Sequence, residues 1–219
     1  MSPGPAAMQP LHFDAVSIRL GARLLLGPLR TTVEPGQCLT LMGPSGCGKS
    51  TLLAFVAGTL DPVFQAEGQV RIGPIDLAPM TPEKRRVGIL FQDDLLFPHL
   101  SVGGNLAFAL PGSIKPQAER RARIETALGE AGLAGFADRD PATLSGGQRA
   151  RVAVLRTLLA QPRVLLLDEP FNKLDAQLRD DFRRFVFQHA QAHGLPTVLV
   201  THDEVDAKAA AGPMIRLEG

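Results

Sequence analysis

The chain has 219 residues, 45% of them hydrophobic and 21% charged, with a formal net charge of +1. This composition is typical of a soluble globular domain, and the near-neutral charge gives no overall field that would favour nucleic acid or an anionic membrane, with a locally basic face left open. The longest apolar runs have the length of strands and fall short of the roughly 18 residues that a membrane helix needs. Residues 1–10 lack the features of a secretory signal and predict a disordered leader, with Met8 as an alternative start. Two cysteines, Cys38 and Cys47, are too few for a disulfide framework, so a cytoplasmic protein is expected.

Apolar periodicity predicts strands that alternate with helices along the rest of the chain. The predicted strands lie at residues 11–21, 38–42, 68–73, 86–91, 163–168, 197–202 and 214–219. One predicted helix follows a glycine loop at 43–51. The others occupy residues 101–110, 116–133, 146–160 and 175–194, and a short helix precedes the last strand. The stretch at about 98–160 has the character of a helical insertion. Leucine- and valine-rich strands alternating with helices favour a parallel sheet covered on both faces.

Residues 43–51 read GPSGCGKST and fit the phosphate-loop pattern G-x-x-x-x-G-K-[ST]. The glycines let backbone N–H groups turn toward a phosphate, the lysine adds a charge near the β- and γ-phosphates, and the serine hydroxyl is placed for Mg²⁺. The predicted nucleotide-contacting residues are Gly43, Pro44, Ser45, Gly46, Cys47, Gly48, Lys49, Ser50 and Thr51. A glycine-rich turn that happens to carry Lys-Ser is the alternative, and the strand before it and the helix after it make that the minor one.

Cys47 lies inside this loop, beside a lysine and at the start of a helix. A thiol in that position is a candidate reactive group, which an alkylating reagent would modify and bound ATP would protect. The alternative is that Cys47 is only a small residue that fits the loop.

Nucleotide hydrolysis needs a metal carboxylate and a group that orients water, and VLLLDEP at 164–170 supplies both at the end of a buried strand. Asp168 is the candidate Mg²⁺ ligand and Glu169 the candidate general base, because ligands bind off the carboxyl ends of parallel strands. An ordinary strand exit is the alternative. Gln92 and His202 also follow apolar strands; each is either structural or a contact, Gln92 to the metal or water and His202 to the γ-phosphate.

The order of GPSGCGKST, Gln92, LSGGQ at 144–148, VLLLDEP, LD at 174–175 and His202 resembles the ATP-binding subunits of ABC transporters. The resemblance covers nearly all of the chain after residue 11. It implies an α/β fold, a P-loop NTPase with a RecA-like parallel core, an N-terminal antiparallel β subdomain and an inserted helical subdomain at about 98–160, all within one ATPase domain at 11–219. It also implies ATP and Mg²⁺ as cofactors, with Ser50, Gln92 and Asp168 at the metal. Glu169 is then the general base, Asp175 a D-loop residue and His202 the switch histidine.

The resemblance further implies that LSGGQ faces the γ-phosphate of a nucleotide held by another copy of the chain. Ser145, Gly146, Gly147 and Gln148 are then nucleotide contacts supplied in trans. The implied partners are a second copy, transmembrane permease subunits and an extracytoplasmic solute-binding protein, with the chain peripheral on the cytoplasmic face of the membrane. Solute import powered by ATP is the expected function. A mechanical ATPase of the division or lipoprotein-extraction type, or an exporter subunit, is the alternative.

The segment after Gln92 resembles the importer type, in which it receives the membrane partner. Leu95, Leu96, Phe97 and Leu100 are the expected exposed contacts, or else they are core residues of the helical subdomain.

The sequence departs from the family pattern at two positions. Leu20 stands where an aromatic residue usually stacks on adenine, Phe13 is off register, and the chain has no Tyr or Trp, so weak base discrimination is expected. Asn172 stands where serine is commoner, with a modest effect expected from a hydrogen bond across the dimer interface. Because the chain ends at Gly219, a C-terminal regulatory domain is not expected.

Overall fold

A computed structural model describes residues 8–172, 174 and 176–217 and shows two β-sheets flanked by helices. The strands in chain order are β1 (Leu11–Leu20), β2 (Arg23–Val33), β3 (Cys38–Met42), β4 (Phe64–Ile72), β5 (Ile75–Asp76), β6 (Val87–Leu90), β7 (Val164–Asp168), β8 (Thr197–Val200) and β9 (Met214–Arg216). The helices are α1 (Lys49–Ala57), α2 (Pro82–Arg85), α3 (Val102–Ala109), α4 (Gln117–Glu130), α5 (Gly146–Leu159), α6 (Ala176–Ala192) and α7 (Glu204–Ala210).

The two sheets differ in direction. One is antiparallel with the strand order β2-β1-β4-β5, and the other is parallel with the order β6-β7-β8-β3-β9. The predicted α/β class, with a parallel core, an antiparallel N-terminal sheet and a helical insertion, is therefore confirmed.

Alternation along the parallel strands divides the core between two faces. In β7, Val164 and Leu166 pack toward the antiparallel sheet and α1, while Leu165 and Leu167 pack toward α6. Because both faces of the strand are covered, its apolar run is continuous and not alternating, which is the pattern that predicted a parallel sheet.

Strand β2 was not predicted from the sequence. Gly27 and Pro28 interrupt its apolar run, and a proline in such a run argues against a strand. The structure resolves the conflict by placing β2 at the edge of the antiparallel sheet, where a missing N–H is tolerated.

The helices α3, α4 and α5 share a separate hydrophobic cluster, and they fall within the predicted insertion at about 98–160. Ile124, Leu128 and Ala131 are all buried in this cluster, as their spacing on one helical face predicted. Across the part of the chain that the structure describes, we find no helix that is both long and apolar enough to cross a bilayer.

Asn105 in α3 is fully buried and fixes the loop that precedes this helix. Its side-chain oxygen accepts a hydrogen bond from the Phe97 N–H at 2.8 Å. Its Nδ2 donates to the carbonyls of Phe97, Leu100 and Ser101 at 3.0–3.3 Å. One amide side chain thus contacts four backbone groups and holds residues 97–101 against the helical cluster.

We predict that Asn105→Ala lowers the free energy of unfolding by about 3 kcal/mol, because the Phe97 N–H and the Leu100 carbonyl lose their hydrogen-bond partner. Urea denaturation followed by circular dichroism measures the loss. Gln117→Ala, which truncates an exposed amide at the start of α4, is the matched control and should change stability by less than about 0.5 kcal/mol. Equal effects of the two variants would contradict this role of Asn105.

Candidate active site

The loops that carry the predicted site residues leave the same edge of the parallel sheet. Strands β3, β7 and β8 pair in parallel, so their carboxyl ends meet, and residues 43–48, Glu169 and His202 follow these ends directly. Gln92 follows β6 in the same way, and β6 pairs in parallel with β7. In open parallel sheets this edge is where ligands bind.

The glycine loop between β3 and α1 needs its glycines for shape. A Cβ on Gly43 would lie 2.7 Å from the Leu217 carbonyl oxygen and 2.9 Å from the Cys47 sulfur, both closer than atoms approach without displacement. Gly48 has a φ of 90° and forms the N-cap of α1. No acidic residue lies in the first turn of α1, so the positive end of the helix dipole faces the loop uncompensated. The loop therefore presents a site for an anion.

Lys49 begins α1 and turns back into this loop. Its Nζ donates hydrogen bonds to the carbonyl oxygens of Gly43 at 2.8 Å and Pro44 at 2.7 Å. The side chain is buried, with 8% of its surface exposed. The positive charge thus lies at the centre of the loop, bound to backbone oxygens and not to a carboxylate.

Ser50 and Asp168 are joined by a hydrogen bond although 118 positions separate them in sequence. The hydroxyl of Ser50 donates to Oδ1 of Asp168 at 3.1 Å. Burial raises the pKa of Asp168, and the negative charge of Glu169 adds to that rise, while the Ser50 hydrogen bond and the charge of Lys49 oppose it. Ser50, Gln92, Asp168 and Glu169 line one cleft, so the structure brings these predicted residues together.

The residues around this cleft fit a magnesium ion. Ser50 and Asp168 offer hard oxygen donors within hydrogen-bond distance of each other. Among residues 8–172, 174 and 176–217, no group of three or more His, Cys, Asp or Glu side chains is placed to hold a metal. Mg²⁺ takes one or two protein ligands together with phosphate oxygens and waters, so the sparse donor set suits it.

Glu169 is held on both oxygens of its carboxylate. The His202 Nδ1 lies 3.2 Å from Oε1, and the Asn172 Nδ2 donates a short hydrogen bond to Oε2. The backbone of Glu169 has a φ of 48°, in the left-handed region that non-glycine residues seldom adopt, and its N–H donates to the Val200 carbonyl at 3.0 Å. Within the chain, the Asn172 amide is bonded to Glu169. Its expected hydrogen bond across a dimer interface stays a prediction.

The turn at 144–148 is built as a capping box at the start of α5. Ser145 Oγ accepts a hydrogen bond from the Gln148 N–H at 3.3 Å, and Gln148 Oε1 accepts one from the Ser145 N–H at 2.9 Å. The spacing S-x-x-Q is a sequence signal for this motif, and the capping box was not predicted. Because Ser145 Oγ acts as an acceptor here, its hydroxyl proton stays available as a donor.

The capping box also explains why two glycines begin a helix. Ser145 and Gly146 are exposed, while Gly147 is buried in the first turn. None of residues 144–148, all of which the structure describes, lines the cleft of Ser50 and Asp168. Gly146 instead lines an adjacent pocket, which shares Phe91, Gln92 and Asp93 with that cleft.

Two arginines of α5 connect this helix to the segment after Gln92. Arg149 Nε pairs with Asp94 Oδ2 at 2.9 Å. Arg156 donates to the carbonyls of Leu95 at 2.9 Å and Asp94 at 3.2 Å. The segment from the sheet and the helix of the LSGGQ turn are therefore mechanically joined. These arginine contacts were not predicted from the sequence.

The remaining predicted residues differ in how exposed they are. Cys47 is 2% exposed, which favours the small-residue interpretation over a reactive thiol, and Cys38 is buried with its pKa raised to about 12 by desolvation. Pro44, Ser45 and Gly46 are exposed on the loop, and Thr51 is half-buried. Asp175 lies outside the described residues.

The expected apolar contacts are only partly exposed. Leu95 is 56% exposed, whereas Leu96, Phe97 and Leu100 are half-buried. Phe108, which was not predicted, is 71% exposed and packs edge-on against Phe97, with 4.9 Å between ring centroids. The helical periodicity of α3 contains the signal, because Phe108 falls away from the face that buries Val102 and Leu106.

A glycine loop between a parallel strand and a helix, with a serine–aspartate contact beneath it, defines a phosphate-loop nucleotide-binding protein. Comparison with known proteins narrows this class. The family model described as "ABC transporter" matches residues 26–172. The chain therefore belongs to the ABC transporter family, as one of its ATP-binding, ATP-hydrolysing subunits.

Individual relatives agree with this assignment. The "Uncharacterized ABC transporter ATP-binding protein YnjD" of Escherichia coli (strain K12) is 52% identical over 196 residues, which are 89% of each chain. The "Fe(3+) ions import ATP-binding protein FbpC" of Agrobacterium fabrum is 43% identical over 93% of this chain but only 57% of its own length. The solved "Dimeric Structure of MJ0796, a Bacterial ABC Transporter Cassette" is 30% identical, with a TM-score of 0.76, and the match covers 95% of this chain and 94% of that one.

We predict that Asp168→Asn stabilises the nucleotide-free protein at neutral pH, raising Tm by about 1–3 °C. A pKa raised in the folded state means that the ionised carboxylate destabilises the fold, and the penalty disappears below the ordinary pKa of about 3.9. The Tm difference between the variant and the parent should therefore shrink as the pH falls.

Differential scanning fluorimetry across pH measures this difference. Asp181→Asn, at an exposed position of α6, is the control and should leave Tm unchanged. A lower Tm for Asp168→Asn at neutral pH would contradict the interpretation.

Proposed function

We propose that the protein hydrolyses Mg-ATP to power solute import through a membrane permease, and that two copies close around two nucleotides to do so. The observation that carries this proposal is the cleft in which Ser50, Asp168 and Glu169 meet, with His202 bonded to Glu169. It combines a phosphate-binding loop, an oxygen donor set for a metal and a held carboxylate at one sheet edge.

Nucleotide binding follows from the loop geometry. The backbone N–H groups of residues 45–50, at the N-terminus of α1, would receive the phosphates, and Lys49 would exchange its two carbonyl acceptors for phosphate oxygens. Ser50 and Asp168 would hold Mg²⁺, which supplies positive charge that offsets the charge of the phosphates. The same two side chains already lie 3.1 Å apart, so little rearrangement of the chain is needed.

Hydrolysis needs a base close to the γ-phosphate. Glu169 would accept a proton from the attacking water, while His202 keeps one of its carboxylate oxygens oriented. Gln92 lines the same cleft and would hydrogen-bond that water or the metal shell. Water then attacks the γ-phosphorus as the bond to the β-phosphate oxygen breaks, giving ADP and inorganic phosphate.

A second copy would complete the site. The exposed Ser145 hydroxyl, the backbone of Gly146 and Gly147 and the positive end of α5 form an anion-binding turn. A related solved structure is described as dimeric, which supports pairing of two copies. In the proposed pair, this turn would meet the γ-phosphate held by the other chain. Because hydrolysis removes that bridge, the dimer would reopen after turnover. Asp175, outside the described residues, would also contact the partner.

The importer direction and the membrane partner rest on the relatives. Those named for the import of ferric ions, sulfate or thiosulfate, and spermidine or putrescine are 42–44% identical to this chain, which spans about half of their length. On this chain, the exposed Leu95 and Phe108 and the half-buried Phe97 would receive the permease beside Arg156, whose guanidinium lies 5.3 Å from the Phe97 ring. An extracytoplasmic solute-binding protein would deliver the solute to that permease, with this chain at the cytoplasmic face of the membrane.

The base-binding surface would be apolar and not aromatic. Leu20 and Leu24 are 41% and 45% exposed at the end of the β1–β2 hairpin. A leucine offers adenine apolar contact without ring stacking, so base discrimination is expected to be weak.

We predict that Glu169→Gln lowers ATP turnover by about 10²–10⁴-fold, because the amide cannot accept the proton from water. ATP binding at Lys49 should persist, and the variant should accumulate as an ATP-bound dimer. Phosphate release and analytical ultracentrifugation measure the two effects.

Glu204→Gln is the matched control, since Glu204 is exposed and pairs only with Arg216 among the described ion pairs. It should turn over normally. Near-normal turnover by Glu169→Gln would refute the base assignment and with it the proposed mechanism.

A further inference from the structure

Arg179 of α6 bridges the two loops that hold Glu169. Its Nη1 pairs with Asp203 Oδ2 at 3.1 Å, next to His202. Its Nη2 donates to the carbonyl oxygens of Asn172 at 3.4 Å and Leu174 at 3.2 Å. Since His202 and Asn172 each bond one oxygen of Glu169, a closed ring of contacts runs from Glu169 through both loops to Arg179.

Asp203 anchors its side of this ring firmly. Its Oδ1 accepts a hydrogen bond from the Val205 N–H at 2.7 Å and so caps α7, while its Oδ2 is left for Arg179. Its backbone N–H donates to Thr201 Oγ1 at 3.0 Å. The residue beside His202 is therefore fixed by three contacts, and Arg179 sets its distance from the loop of Asn172.

Arg183, one turn further along α6, makes contacts that differ from those of Arg179. Arg183 is almost fully buried and pairs at 2.6 Å with Asp206, whose other oxygen accepts a hydrogen bond from Thr201. That pair joins α6 to α7 but contacts neither loop residue that bonds Glu169. Arg179 and Asp203 are each 25% exposed at the side chain, so their contact is less buried than the contact of Arg183 with Asp206.

We propose that Arg179, through its ion pair with Asp203, is a positioning residue for the Glu169–His202 pair. It sets the spacing between the His202 loop and Asn172 and Leu174, and so keeps the carboxylate aimed at water while the neighbouring segment contacts a second copy. This role rests on the proposed function, because it acts through Glu169 as general base. Only a planar guanidinium places two donors on separate loops, so lysine is a poor substitute.

The test compares Arg179→Met and Asp203→Asn with the parent protein. Asn is as good an N-cap as Asp, so Asp203→Asn removes the ion pair and leaves the cap of α7. We expect each variant to lose about 10- to 100-fold in kcat, the effect of a misplaced catalytic group, with unchanged KM and ATP binding. The double variant should lose no more than the worse single one, since both break one contact. Arg179→Lys should recover only part of the loss.

Two controls separate positioning from folding and from the proposed function itself. Arg184→Met, on the exposed side of α6, should leave kcat and Tm unchanged. In a Glu169→Gln background, Arg179→Met should cause no further loss of residual turnover, because the group that it positions is gone.

Each outcome decides the proposal. Three results would overturn the positioning role and leave Glu169 as the general base. They are a normal kcat in Arg179→Met, a loss of kcat that follows the folded fraction, and an equal loss of kcat in the Glu169→Gln background. Near-normal turnover of Glu169→Gln alone would instead overturn the proposed function, and the positioning role with it.

Discussion

The Glu169 carboxylate is the point on which the rest of the site depends, because each of its oxygens is bonded by a different loop. His202 reaches it from the end of β8 and Asn172 from the turn after β7. The left-handed backbone at Glu169 is tolerated because its N–H is bonded to Val200 on the neighbouring strand. The parallel register of β7 and β8 therefore fixes both the position of the carboxylate and the two groups that hold it.

From this centre, charge and dipoles are arranged around a phosphate chain. Lys49 lies within the glycine loop and Asp168 beneath it, with Ser50 between them. The burial that raises the pKa of Asp168 destabilises the folded protein when the carboxylate is ionised. Binding of a cation together with the nucleotide would offset this cost. Helix α5 begins with the capping box of Ser145 and Gln148, and Arg149 and Arg156 connect that helix to the segment after Gln92.

The parallel sheet and the glycine loop could both be predicted from the sequence. The parallel strands are buried on both faces, so each appears in the sequence as a continuous apolar run. The glycine loop has a residue spacing that few other structures require. Strand β2 was not predicted because Gly27 and Pro28 interrupt its apolar run. It forms because it pairs with β1 at the edge of the sheet. The His202–Glu169 and Arg179–Asp203 contacts could not be predicted, because their partners lie 33 and 24 positions apart in sequence and meet only in the fold. The exposure of Phe108 and the capping box could have been predicted, because the first follows helical periodicity and the second follows the S-x-x-Q spacing.

The central claim is that each catalytic site is shared by two copies of the chain. Purified heterodimers with two different affinity tags test it directly. One heterodimer pairs a Lys49→Ala chain with a Ser145→Arg chain, which leaves one site intact if the turn acts in trans. The other pairs the double variant with the parent chain, which leaves none. The account predicts ATP turnover by the first heterodimer, well above both single-variant homodimers, and none by the second. Equal turnover by the two heterodimers would contradict it.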